Sequence, residues 1–140
     1  MTIVDKIKES ISVATDLPVY YQSEEQLNRI ADNADYPCAY FFLLQTQGIT
    51  TDSMTLRERV NIAVFFVNLT EFDFNADENE AIIDECKQKA MRWLAMLPRD
   101  AYFRLTAVGQ SERLYDTFDA QLTGYAVNVT LEELEGFCNG

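Results

Sequence analysis

Twenty-three Asp and Glu side chains are the chemically capable groups this sequence supplies in quantity. Carboxylate pairs can do acid-base work when a motif sets them in an apolar pocket. No pair here is so placed, and no catalytic residue is assigned. Asp73, Asp77, Glu78 and Glu80 are close enough in sequence to suggest calcium. A calcium loop of the EF-hand type needs alternating oxygen ligands, a central glycine and a closing glutamate. This run lacks the glycine and suits the start of a helix, so no metal site is assigned. The chain has no histidine, which removes the commonest general base and the commonest zinc ligand. It also excludes Ser-His-Asp and Cys-His arrangements. Gly48, Gly109, Gly124, Gly136 and Gly140 are isolated, so neither common phosphate-cradling loop is present. No cofactor is expected, and the chain reads as a non-enzyme.

The remaining candidates are cations and rings. Arg57 and Arg59 lie two apart in a run with strand periodicity and so share one face. Either they form a solvated face with cross-strand partners, or they form an ion-pairing patch at a subunit or partner interface. Arg92, Arg99, Arg104 and Arg113 are scattered. Tyr20, Tyr21, Tyr40, Phe41, Phe42, Phe65 and Phe66 predict an aromatic-rich sheet. Such a sheet can stack nucleic-acid bases only with basic flanks. Most of these rings are expected in the core and some as interface anchors, with another subunit covering the second sheet face.

Eleven basic against 23 acidic residues leave a net charge of -12, which opposes binding to a phosphate backbone. The dispersed acidic groups read as a solubilising surface or, more sharply, as a channel wall along which DNA slides without sticking. Cys38, Cys86 and Cys138 are far apart, without CxxC spacing, and predict reduced thiols. No apolar run approaches the ~18 residues of a membrane span. Charges recur through the first ten residues, unlike a signal peptide, and a cytoplasmic location is expected.

The elements that must position these residues follow from hydrophobic period. The 140 residues amount to one domain, 48% apolar, enough for a single core. Residues 2–15 carry Ile3 or Val4, Ile7, Ile11 and Ala14 on one helical stripe, with Thr2 as a cap and Pro18 as a stop. Val19, Tyr20 and Tyr21 predict a short edge strand, residues 23–31 one or two helical turns, and residues 38–47 a central strand. Residues 48–56 are too short for a crossover helix, so the flanking strands are antiparallel neighbours. This polar, Thr-rich link is expected to project as a mobile loop. In 57–70, Val60, Ile62, Val64 and Phe66 face one side and Phe65, Val67 and Leu69 the other. In 76–97, Ile83, Cys86, Ala90, Trp93 or Leu94, and Leu97 recur every three or four residues, giving a helix stopped by Pro98. Strands are predicted at 102–110 and 121–131, with a polar link at 111–120 and an acidic tail at 132–140. The fold class is α+β: a mostly antiparallel sheet with two long helices packed on one face.

This order, with several local patterns, resembles the tail terminator (tail completion) proteins of long-tailed bacteriophages and prophages. Leu17-Pro18-Val19-Tyr20 follows the first helix, and Tyr36-Pro37-Cys38-Ala39-Tyr40 resembles the opening of that family's next strand. Arg57-Glu58-Arg59-Val60-Asn61-Ile62-Ala63-Val64 resembles its charged-then-alternating strand. The helix ending Trp93-Leu94-Ala95-Met96-Leu97 resembles its second helix, and Tyr115-Asp116 with Gly124-Tyr125-Ala126-Val127-Asn128-Val129 its closing strands. The likeness covers nearly the whole chain; residues 23–31 and the acidic tail depart from it. It implies a structural protein whose ring, of about six subunits, caps the tail tube and joins it to the head connector. Its partners would then be further copies of itself, the tail tube protein and the head-tail connector protein. It would be cytoplasmic during assembly and then part of the virion tail, with no sequence-specific nucleic-acid or membrane binding. Contacts are expected at edge strands and at the 48–56 link, giving Thr50, Thr51, Asp52, Met54, Arg57, Arg59 and Phe65 as interface candidates. The alternative is a cytoplasmic α+β dimer that binds a small ligand or a protein partner on the open sheet face.

Overall fold

The computed structural model describes residues 1–21, 34–52, 55–70, 77–117 and 121–138. The element order is α1 (Ile3–Thr15), β1 (Val19–Tyr21), β2 (Cys38–Asp52), β3 (Thr55–Leu69), α2 (Asp77–Met96), a 3-10 turn (Leu97–Arg99), β4 (Phe103–Thr117), β5 (Leu122–Glu133) and β6 (Phe137–Cys138). The strands form one sheet in the order β1-β2-β3-β5-β4, with β6 paired to β3. Only β1 pairs in parallel; every other neighbour is antiparallel. The fold is α+β, as the order of periodic segments predicts.

α1 begins at a capping box. Thr2 Oγ1 accepts from the Asp5 amide at 3.1 Å, and Asp5 Oδ2 accepts from the Thr2 amide at 3.2 Å. These hydrogen bonds, the backbone one foremost, hold the Asp5 carboxyl below its ordinary value. The helix ends at Asp16, in left-handed backbone (φ 59°), two residues before Pro18. Its stripe of Ile7, Ile11 and Ala14 meets the α2 stripe of Ile83, Cys86, Ala90 and Trp93. Together they cover Val60, Ile62, Val64 and Phe66 of β3 and Tyr125, Val127, Val129 and Leu131 of β5. These residues follow the period-two and period-3.6 patterns, and both helices lie on one face.

Two expected links are strand instead. β2 continues through Gly48 to Asp52 and pairs with Thr55–Arg59 of β3, in place of a mobile loop. β4 runs on through Ser111 to Thr117, against β5, in place of a polar link. The predicted tail is divided: Glu132 and Glu133 close β5, and Phe137 and Cys138 pair with Leu56 and Thr55. The turns expected at 23–31 lie outside the described residues.

Close approach makes glycine necessary at one seam. A Cβ on Gly124 would sit 1.9 Å from the Phe66 carbonyl oxygen, inside the backbone of the neighbouring strand.

Candidate functional site

The described chemistry divides between the two faces of the sheet. Alternation along β3 puts Arg57, Arg59, Phe65 and Val67 on the face away from the helices. The far end of that face is buried within the chain itself. Cys38, Tyr40, Val67, Leu114, Leu122 and Ala126 form a second cluster there, with Tyr40 fully buried. Tyr20 and Tyr40 stack at 5.4 Å between ring centroids, and Phe42 and Phe65 at 5.1 Å. The expectation that another subunit must cover this aromatic region is therefore corrected at the Tyr40 end. Phe65 remains half-buried, packed against Phe42.

Burial pushes the Cys38 and Cys86 thiols up to about 12 each. Both are small core residues rather than nucleophiles at neutral pH.

The near end of the same face is polar. Arg59 of β3, Glu132 of β5 and Arg104 of β4 stand on one rung of three adjacent strands. Glu132 Oε2 accepts from Arg104 at 2.6 Å, and the glutamate side chain is only 4% exposed. Its other oxygen, Oε1, and the Arg59 Nε are buried with no hydrogen-bond partner among the described residues. Arg57 Nε donates to the Leu134 carbonyl at 3.3 Å. Gly48 lies opposite Arg59, in a left-handed conformation (φ 124°) beside a register shift in β2. That φ favours glycine, and the open space above it leaves room for the guanidinium, whose Nη2 is 3.7 Å from where a Cβ would be. Arg104 is thus bonded to a buried carboxylate, with Arg59 beside it on the same rung and Arg57 two residues further along β3.

From this rung β2 and β3 run outward as an arm. The helix-covered core reaches Leu43 on β2 and Val60 on β3. Beyond it lie five paired rungs, from Gly48 and Arg59 to Asp52 and Thr55. At ~3.4 Å per residue the arm reaches roughly 15 Å past the core. Thr50 and Arg57 are cross-strand partners on the arginine face; Thr51 pairs with Leu56 on the opposite face. On that opposite face Ile49 is 61% exposed and Leu56 42% exposed. Of the interface candidates, Thr50, Thr51, Asp52 and Arg57 come together on the arm and Arg59 stands at its base. Phe65 lies apart, in the aromatic cluster, and Met54 lies outside the described residues. Sequence reasoning missed Glu132 and Arg104, read as tail and scattered charge. Their separation of 28 positions leaves no local signal.

A cleft between α1, the end of α2 and the segment leading into β4 bears on the ligand-binding alternative. It lies between Glu9, Ser10, Val13, Trp93, Met96 and Tyr102 and encloses about 190 Å³. Small-molecule pockets usually run from about 300 to 1,000 Å³. Its polar groups are engaged with one another: Trp93 Nε1 donates to Ser10 Oγ at 3.0 Å, and Ser10 Oγ donates to Asp100 Oδ1 at 2.7 Å. Tyr102 donates to Glu9 Oε2 at 2.5 Å. A wider hollow of about 380 Å³ lies on the open face near Phe65, Gln110, Glu112 and Asn128, and its lining is mostly polar.

Among the described residues no three His, Cys, Asp or Glu side chains are grouped to hold a metal ion. No described helix is long and apolar enough to cross a membrane. No protein-family model matches the chain, and no curated protein matches it in sequence.

Proposed function

We propose that this chain is a structural assembly protein of the tail terminator kind. In this reading it forms a closed ring of like subunits that caps a phage or prophage tail tube and meets the head connector. The observation that carries the reading is the β2–β3 arm. Five strand rungs extend past the core and hold Ile49 and Leu56 in water. A polar arm would serve solubility better, so exposed apolar residues on a projecting hairpin favour a partner that covers them. A ring needs two unlike patches on each subunit, and a projecting arm supplies one of them. The net charge of -12 fits a channel wall that DNA passes without binding.

The test is the absolute mass of the purified protein by light scattering, across a concentration series at two salt levels, followed by co-sedimentation with tail tubes. A ring of about six subunits, or tube-end binding by a smaller species, is expected. Ile49→Lys should abolish that association and leave the thermal midpoint unchanged. A tight, salt-insensitive dimer that ignores tail tubes would refute the ring and favour the ligand- or partner-binding alternative.

A further inference from the structure

We propose that the Arg59-Glu132-Arg104 rung, with Arg57 beside it, docks the acidic outer face of helix α2 from a second copy of this chain. The inference rests on the ring reading and names the two surfaces that would meet in it.

The arginine side is incompletely neutralised. Arg104 is bonded to Glu132, and Arg59 has no ion pair among the described residues. Arg59 is nonetheless half-buried, with its Nε fully shielded. A cation withdrawn from water without a counter-ion is costly, and a carboxylate arriving from outside removes that cost. Among the described residues of the patch, the carboxylate of Glu132 is bonded to Arg104 through one oxygen, and its other oxygen makes no hydrogen bond to Arg59.

The complementary surface is on the same molecule but on the other side of the sheet. The first half of α2 carries Asp77, Glu78, Glu80, Asp84 and Glu85 and no basic residue before Lys87. Asp77, Glu80 and Asp84 fall at helical spacing on one exposed stripe, with Glu85 exposed beside it. Glu80 is bonded to Arg113 of β4, while the stripe continues through Asp84. α2 packs on the helix face and the arginine rung lies on the opposite face, so one subunit cannot satisfy itself. Docking of one face onto the other of the next copy is head-to-tail, the contact that generates a ring. The exposed acidic stripe of α2 and the arginine rung are of opposite sign, so a second copy of this chain supplies a locally complementary surface.

A double-mutant cycle in light scattering tests the contact. The full-length wild type is compared with Arg59→Gln, with Asp84→Lys/Glu85→Lys, and with the combined variant. Each partial variant is expected to raise the half-assembly concentration roughly tenfold or more, and the combination no further than the worse of the two. The helix variant alters only exposed positions, so an unchanged thermal midpoint shows that its effect is on association. An oligomer indifferent to both variants overturns this contact and leaves the ring reading standing. A dimer weakened equally by both variants supports the contact and sinks the ring. A wild type that stays monomeric at every concentration overturns the contact, and tail-tube binding then decides the ring reading by itself. Co-purified nucleic acid lost with Arg59→Gln but kept with the helix variant assigns the patch to phosphate and overturns the proposal.

Discussion

Trp93 Nε1 on α2 donates a hydrogen bond to Ser10 Oγ on α1 at 3.0 Å, with both side chains buried. Ser10 Oγ in turn donates a hydrogen bond to Asp100 Oδ1, and Asp100 Oδ2 accepts from the Tyr102 and Phe103 amides at 2.9 Å each. The two helices and the start of β4 are therefore joined by one chain of satisfied polar groups. Ser10→Ala removes the acceptor and strands the indole N–H in the core. A loss of about 1–3 kcal/mol is expected, read as a lower urea midpoint with an unchanged slope. A midpoint equal to the wild type would show that the network contributes nothing to stability.

Gly124 marks the seam between β3 and β5. Its Cβ position overlaps the backbone of Phe66 and Val67, which cannot move as a flexible side-chain end can. Gly124→Ala should cost about 1–3 kcal/mol or more through forced separation of the strands. Gly109→Ala is the control, since its nearest heavy atoms are 3.4 Å away. Comparable thermal midpoints for the two variants would refute the close approach.

Glu133 lies near Lys6 at 3.8 Å, yet burial raises its pKa above the ordinary glutamate value, with Glu58 and Glu135 adding to the rise and Lys6 opposing it. A carboxyl raised in the folded state binds more protons there than in the unfolded chain. Its contribution to stability therefore falls as pH rises from the ordinary value of 4.5 through the folded one. Glu133→Gln should melt higher than the wild type near pH 7 and lose that advantage near pH 4. A variant less stable at neutral pH would mean that the Lys6 pair outweighs burial.

The thiols of Cys38 and Cys86 are buried and remain protonated far above neutral pH. Maleimide labelling of the folded protein at pH 7.5, followed by peptide mass analysis, should leave both unmodified, and labelling in denaturant should modify both. Rapid reaction of Cys86 without denaturant would place it outside the helix-sheet core.

The parts of the fold legible in the sequence are those that touch the helix-covered core. Val60 to Phe66 alternate because one side meets α1 and α2, and Ile83 to Leu97 recur because one stripe meets the sheet. Burial writes the period, so strand without burial leaves none. Gly48 to Asp52 extend past the core, and Ser111 to Arg113 are exposed on an edge strand. Both stretches therefore read as polar links. Register shifts between Leu105 and Ala107 and between Val108 and Ser111 further break the alternation of β4. The candidate site was half legible. Arg57 and Arg59 share a face by local spacing, but Glu132 joins them only through the pairing of β3 with β5, which no neighbouring residue announces.

The wiring of the sheet also sets where the work of folding falls. β2 with β3, and β4 with β5, are hairpins whose partners lie close along the chain, whereas Ile62 meets Val129 only after α2 and β4 have intervened. The entropy of closing large loops is thus concentrated on a single junction. Until that junction shuts, each hairpin presents a bare strand edge that the matching hairpin of another copy could occupy equally well. The narrow fit at Gly124 therefore sits at the step that decides whether one molecule completes its own sheet or exchanges halves with its neighbour.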